Sequence, residues 1–141
     1  MGRGAMNVLT RGDNTSYFFK DNKYVKIQWT PGYGGDKVTY GPTEFAKEWS
    51  TLRETGFTHI DAILPIPEAK DYTAYFFCGE KYARIHFTPS QPGDQVLGGV
   101  RTITSNWKSL AKAGFEHVDA AMIVPGTTDQ AFIFSGNEFC R

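Results

Sequence analysis

The chain has 141 residues, 40% of them apolar, and its 15 basic and 15 acidic side chains leave no net charge. This length and apolar share suit one packed domain and exclude a disordered chain, while neutrality removes the broad field that would draw the protein to nucleic acid or an anionic membrane. No stretch stays apolar long enough to span a bilayer.

Residues 1–6, Met1-Gly2-Arg3-Gly4-Ala5-Met6, look partly like an expression remnant and are set aside from fold reasoning. They lack the charged-then-apolar order of a secretory signal, although secretion stays open. From there the chain repeats itself: Tyr17-Phe18-Phe19 returns as Tyr75-Phe76-Phe77, an offset of 58 residues. The same offset relates Lys23-Tyr24 to Lys81-Tyr82, Thr30-Pro31 to Thr88-Pro89, Trp49 to Trp107, Leu52 to Leu110 and Gly56-Phe57 to Gly114-Phe115. A first repeat over 7–58, a second over 59–116 and a partial third over 117–141 follow from this register.

Each unit opens on strand signals. Ile60 to Ile66 is a β-prone apolar run, and Ala74 to Phe77 is a second, ending in a turn around Gly79. The next segment alternates, with Ala83, Ile85 and Phe87 on one face and Tyr82, Arg84 and His86 on the other. Its first-repeat copy sets Val25, Ile27 and Trp29 against Tyr24, Lys26 and Gln28, so the former trio is expected on the buried side. Beyond a Pro/Gly-rich stretch, Phe45, Trp49 and Leu52, and then Val100, Ile103, Trp107 and Leu110, recur at helical spacing. That spacing predicts one helix over about 43–53 and another over about 99–111, each stopped by Gly56 or Gly114. A small sheet with a helix at its outer end cannot bury both faces alone, so successive units must pack face to face.

Cys78 and Cys140 fall at unequal places in the repeat and are expected to be free thiols. No phosphate loop, nucleophile elbow, metalloprotease helix or Cys-x-x-Cys pair occurs, so the chain is not expected to be an enzyme. His59 and His117 occupy the same place in successive repeats, where a facing pair suits a metal or haem iron, and a structural hydrogen-bonding role is the alternative. Asp61 and Asp119 also repeat, each ahead of an innermost strand, with Asn7 read as their counterpart in the first copy. Side-chain bonds that tie down the turn between units account for the two aspartates equally well. Most aromatics fall on apolar stripes, whereas Tyr33, Tyr40 and Tyr72 stand in loop-like or helix-preceding sequence and are candidate ligand platforms.

As a set, Asp61-Ala62, Ala74-Tyr75-Phe76-Phe77, Gly79, Tyr82 with Arg84-Ile85, and Trp107 with Leu110 resemble the hemopexin repeat. Lys23-Tyr24-Val25, Thr30-Pro31-Gly32, Asp36-Lys37-Val38 and Tyr40-Gly41-Pro42 are similar to seed albumins of the albumin-2 type, and the likeness runs from about Asn7 to the end. The resemblance implies an all-β fold with short helices, built of hemopexin-like propeller blades, about two and a half here against four in the family's ring. It also implies an axial calcium or sodium ion, held near Asn7, Asp61 and Asp119 mainly by main-chain oxygens. A non-enzymatic binding protein is expected, its ligand a polyamine, a glycan or haem, with a storage or self-assembling protein as the alternative. Exposed blade faces imply self-association, most simply a homodimer, and the family places such proteins in the cytoplasm or a seed storage compartment.

Overall fold

The structure is a computed structural model that describes residues 14–66, 72–88 and 92–141 in full and residues 4–9 as backbone. It contains three antiparallel sheets. The first runs β1 (Gly4–Leu9), β2 (Thr15–Lys20), β3 (Lys23–Gln28) and β4 (Lys37–Glu44) in sequence order. The second repeats it as β5 (Ala62–Pro65), β6 (Tyr72–Cys78), β7 (Lys81–Phe87) and β8 (Gln95–Thr102). The third has β9 (Ala120–Ile123), β10 (Ala131–Ser135) and β11 (Glu138–Cys140). The third unit thus carries three of the four strands, more than the half unit read from the sequence. Gly4, Ala5 and Met6, set aside above, lie within β1, whose Gly4 and Ala5 pair with Lys20 and Phe19.

The fourth strand of the first two sheets was not legible as a strand. β4 and β8 are exposed along most of their length, so they lack the apolar alternation that betrays a half-buried strand, and backbone pairing to β3 and β7 holds them in place. Val100, assigned above to a helical stripe, is therefore an exposed strand residue. Gly41 in β4 has φ +86°, and a Cβ there would stand 2.6 Å from the Tyr24 carbonyl oxygen, so only glycine lets β4 approach β3 so closely.

The two predicted helices are each broken in two. α1 (Phe45–Glu48) and α2 (Ser50–Thr55) meet at Trp49, and α3 (Ile103–Asn106) and α4 (Lys108–Lys112) meet at Trp107. Trp49 has extended dihedrals, φ −102° and ψ 97°, yet its N–H still donates to the Phe45 carbonyl at 2.7 Å. The break aims the indole into the space between sheets, where it meets the rings of Tyr17, Phe19, Tyr24, Phe76 and Phe87 at 5.3–6.0 Å. Gly56, at φ +73°, closes α2 as the glycine pattern predicted.

Two aromatic cores lie between successive sheets. The first joins Tyr17, Phe19, Tyr24, Phe45, Trp49 and Leu52 of unit one to Ile63, Phe76, Ala83, Ile85 and Phe87 of unit two. The second joins the other side of unit two, including Phe77, Tyr82, Ile103 and Leu110, to Val118 and Ile133 of unit three. Strand β6 serves both, since Ala74 and Phe76 point one way and Tyr75 and Phe77 the other. Each sheet is thus a blade with a leading and a trailing face.

On blade one the predicted buried side is reversed. Tyr24 is 4% exposed, whereas Val25, Ile27 and Trp29 are only half-buried and Phe18 is exposed. Their repeat equivalents in blade two are buried because blade one covers them. The opposite end of the stack is also open, with Phe139 63% and Met122 47% exposed and Phe132 edge-on to Phe139.

Candidate ligand-binding sites

The innermost strands meet, because β5 lies beside both β1 and β9. At their entrances Asp61 and Asp119 play matching parts. The Gly79 N–H donates to Asp61 Oδ2 at 2.7 Å, and the Gly136 N–H donates to Asp119 Oδ2 at 2.6 Å. Each carboxylate thereby fixes the hairpin turn of its own blade, and the Asp61 and Asp119 N–H groups open the ladder by donating to the Phe77 and Phe134 carbonyls. Both carboxylates are thus engaged with their own turns, and among the described residues no group of three or more His, Cys, Asp or Glu side chains is placed to hold a metal. Asn7 is not their counterpart. Since Ala5 pairs with Phe19 as Ala62 pairs with Phe77, Gly4 corresponds to Asp61, and Asn7 sits in the bulge between Ala5 and Val8.

The two histidines turn to the aspartates of their own repeats. His59 Nε2 is 3.3 Å from Asp61 Oδ1, and His117 Nε2 is 3.9 Å from Asp119 Oδ2. The first pair is largely buried and the second exposed, so the repeated frame is tight in blade two and loose in blade three. His59 also has the Cys78 sulfur near its ring, at 3.7 Å from Nε2 and 3.8 Å from Nδ1.

Of the three tyrosines, Tyr33 is 78% exposed on a turn, its N–H donating to the Thr30 carbonyl. Tyr72 instead packs on Phe87 with ring centres 5.7 Å apart, at the border of the first core. Tyr40 stands on β4 at the outer corner of blade one, where a small constellation gathers. Its hydroxyl donates to Glu48 Oε1 at 2.7 Å, and this bond holds the phenol's pKa above its ordinary value. The Lys26 ammonium lies 5.4 Å from the Tyr17 ring centre and 5.3 Å from that of Tyr40. Tyr24, 6.1 Å from Tyr40, completes the aromatic wall, and burial pushes its phenol up to about 12.

Lys26 and Glu48 were not singled out from sequence. The turn from β4 into α1 brings Glu48 back under Tyr40, and the pairing of Lys26 with Tyr40 crosses from β3 to β4. Comparison of the repeats carries a signal nonetheless, since the corresponding positions in blade two are Arg84, Gly98 and Asn106. There Arg101 takes the corner, donating to the Gly98 carbonyl at 3.1 Å and approaching Asn106 Oδ1 at 3.4 Å. Two grooves of about 650 Å³ complete the concave surface. One runs along Phe18, Val25 and Pro42 on the open face of blade one, and the other lies between Trp107, Ile133 and Arg141.

No protein-family model matches the chain. It is 27% identical over 142 residues to albumin-2 of Lathyrus sativus, an alignment covering 98% of this chain and 61% of that protein. Among solved structures it is similar to a plant lectin with two metal binding sites from Cicer arietinum, with a TM-score of 0.81 and 26% identity over 96% of this chain and 59% of the other. The hemopexin fold protein CP4 from cow pea gives a TM-score of 0.75 and 28% identity over 91% of this chain and 55% of that one. The chain therefore spans about three fifths of the length of the relatives it matches. Repeat, blade architecture and these likenesses agree: the chain has a hemopexin-like fold and is similar to the plant albumin-2 and hemopexin-fold lectin group.

Proposed function

We propose that the chain is a non-enzymatic binding module whose ligand is a small organic cation of the polyamine type, taken at the outer corner of blade one. One observation carries this reading. An ammonium, that of Lys26, already sits against the rings of Tyr17 and Tyr40, while the Glu48 carboxylate supplies negative charge through the Tyr40 hydroxyl. Tyrosine faces and a carboxylate are the groups that recognise a protonated amine, and the side chain acts as a tethered stand-in for a free one. The corner of blade two, occupied by an arginine, has no such cage.

Calorimetry with spermine tests the reading. Lys26→Ala empties the cage and is expected to tighten binding several-fold. Tyr40→Ala removes one ring and is expected to weaken it roughly fivefold, about 1 kcal/mol. Saturable binding on a glycan array without any response to spermine would support a lectin activity, which the Cicer arietinum neighbour favours. Absence of both would favour a storage protein.

A further inference from the structure

We propose that Cys78 is a reactive thiol that takes small-molecule disulfides by thiol–disulfide exchange, with His59 as its base and Asp61 positioning that base. Asp61 is 6% exposed, and its two carboxylate oxygens divide the work. Oδ1 faces His59 Nε2 at 3.3 Å, and Oδ2 accepts the Gly79 N–H at 2.7 Å. Because Gly79 follows Cys78 directly, one side chain anchors both the imidazole and the backbone that carries the thiol.

The contact to Asp61 assigns the proton of His59 to Nε2. The lone pair then lies on Nδ1, which faces the Thr58 hydroxyl at 3.1 Å, and Cys78 Sγ stands beside the ring, 3.7 Å from Nε2 and 3.8 Å from Nδ1. A thiol this close to a carboxylate-held imidazole has a neighbouring base that raises its thiolate fraction. Cys78 is partly exposed on the β6–β7 turn, so a small disulfide can reach it. In blade three the His117, Asp119 and Gly136 frame recurs with Ser135 ahead of the glycine, so the frame is architectural and blade two alone adds the thiol to it.

In the reaction the Cys78 proton passes to the His59 imidazole and the thiolate attacks one sulfur of the disulfide. A Cys78–sulfur bond forms, the S–S bond of the reagent breaks, and the departing thiolate takes up the proton. The products are a mixed disulfide and one small thiol.

The chain carries its own reference in Cys140, whose thiol burial pushes above its ordinary pKa. The folded chain is treated with oxidised glutathione near neutral pH, and mass spectrometry follows each cysteine. Cys78 is expected to react roughly tenfold or more faster than Cys140, and the ratio is expected to fall towards one in urea. His59→Gln, with its melting curve recorded alongside, is expected to slow Cys78 by about tenfold without altering Cys140. Equal rates in the folded wild-type chain overturn the proposal, as does a His59→Gln protein that folds and keeps the fast rate. If that variant fails to fold, the wild-type ratio decides alone.

Discussion

Hairpins β2–β3 and β6–β7 carry equivalent side chains and meet opposite fates. In blade two Phe76, Ala83, Ile85 and Phe87 are at most 2% exposed, because the aromatic trailing face of blade one lies over them. In blade one the same positions, Phe18, Val25, Ile27 and Trp29, are half-buried or exposed, while Tyr17, Phe19 and Tyr24 on the other side are sealed. Inside and outside on a blade are therefore properties of its neighbour, and the strand's own residues specify only that two faces exist.

Core substitutions break this comparison most directly. Phe76→Ala is expected to cost about 3–5 kcal/mol, because it empties a cavity ringed by Phe19, Trp49 and Phe87, while its repeat mate Phe18→Ala is expected to cost under about 1 kcal/mol. Urea titration measures both, and equal losses would mean that the leading face of blade one is covered as fully as that of blade two.

The aspartate tethers give the next largest contrast. Asp61→Ala leaves the half-buried Gly79 N–H without its partner and is expected to cost about 1–3 kcal/mol. Asp119→Ala does the same at an exposed turn, where water replaces the carboxylate, and is expected to cost less than about 1 kcal/mol by the same denaturation measurement.

Open faces also predict association. Phe139 and Met122 at one end of the stack and Phe18 at the other expose apolar surface of the kind that the two internal cores bury. Light scattering is expected to show mass increasing with concentration, and Phe139→Lys is expected to reduce that increase. A constant monomer mass from micromolar to millimolar concentration counts against it.

Tyr24 gives the smallest effect, confined to alkaline pH. Its folded pKa, pushed up to about 12 by burial, lies above the unfolded value near 10, so the folded chain holds the proton more tightly. The stability linked to it is complete below about pH 10 and is lost as pH rises through 12. Tyr24→Phe is expected to remove that part of the alkaline loss in melts recorded across this range.

The site was less legible in the sequence than the fold. Tyr40 was visible as a candidate platform because it stands in loop-like or helix-preceding sequence, but Tyr72 looked equivalent and is packed on Phe87. The expected link between Asn7 and the two aspartates fails at a bulge in β1, which shifts register without leaving a trace in the residue pattern. For the histidines the repeat offers both a facing pair and a structural hydrogen-bonding role, and each turns to the aspartate two residues on in its own unit.

By itself the sequence determined the repeat, its 58-residue register, the hairpin in each unit and the positions of the closing glycines. These are local matters of periodicity and turn chemistry, legible because every unit states them again. The tertiary structure decided the outer strands, the break at each tryptophan, which blade face is buried, and the meeting of Lys26 with Tyr40 and of Cys78 with His59. Those outcomes depend on what packs beside each element. An exposed strand held by backbone bonds carries no apolar signature, and a side chain's burial is set by the neighbouring blade.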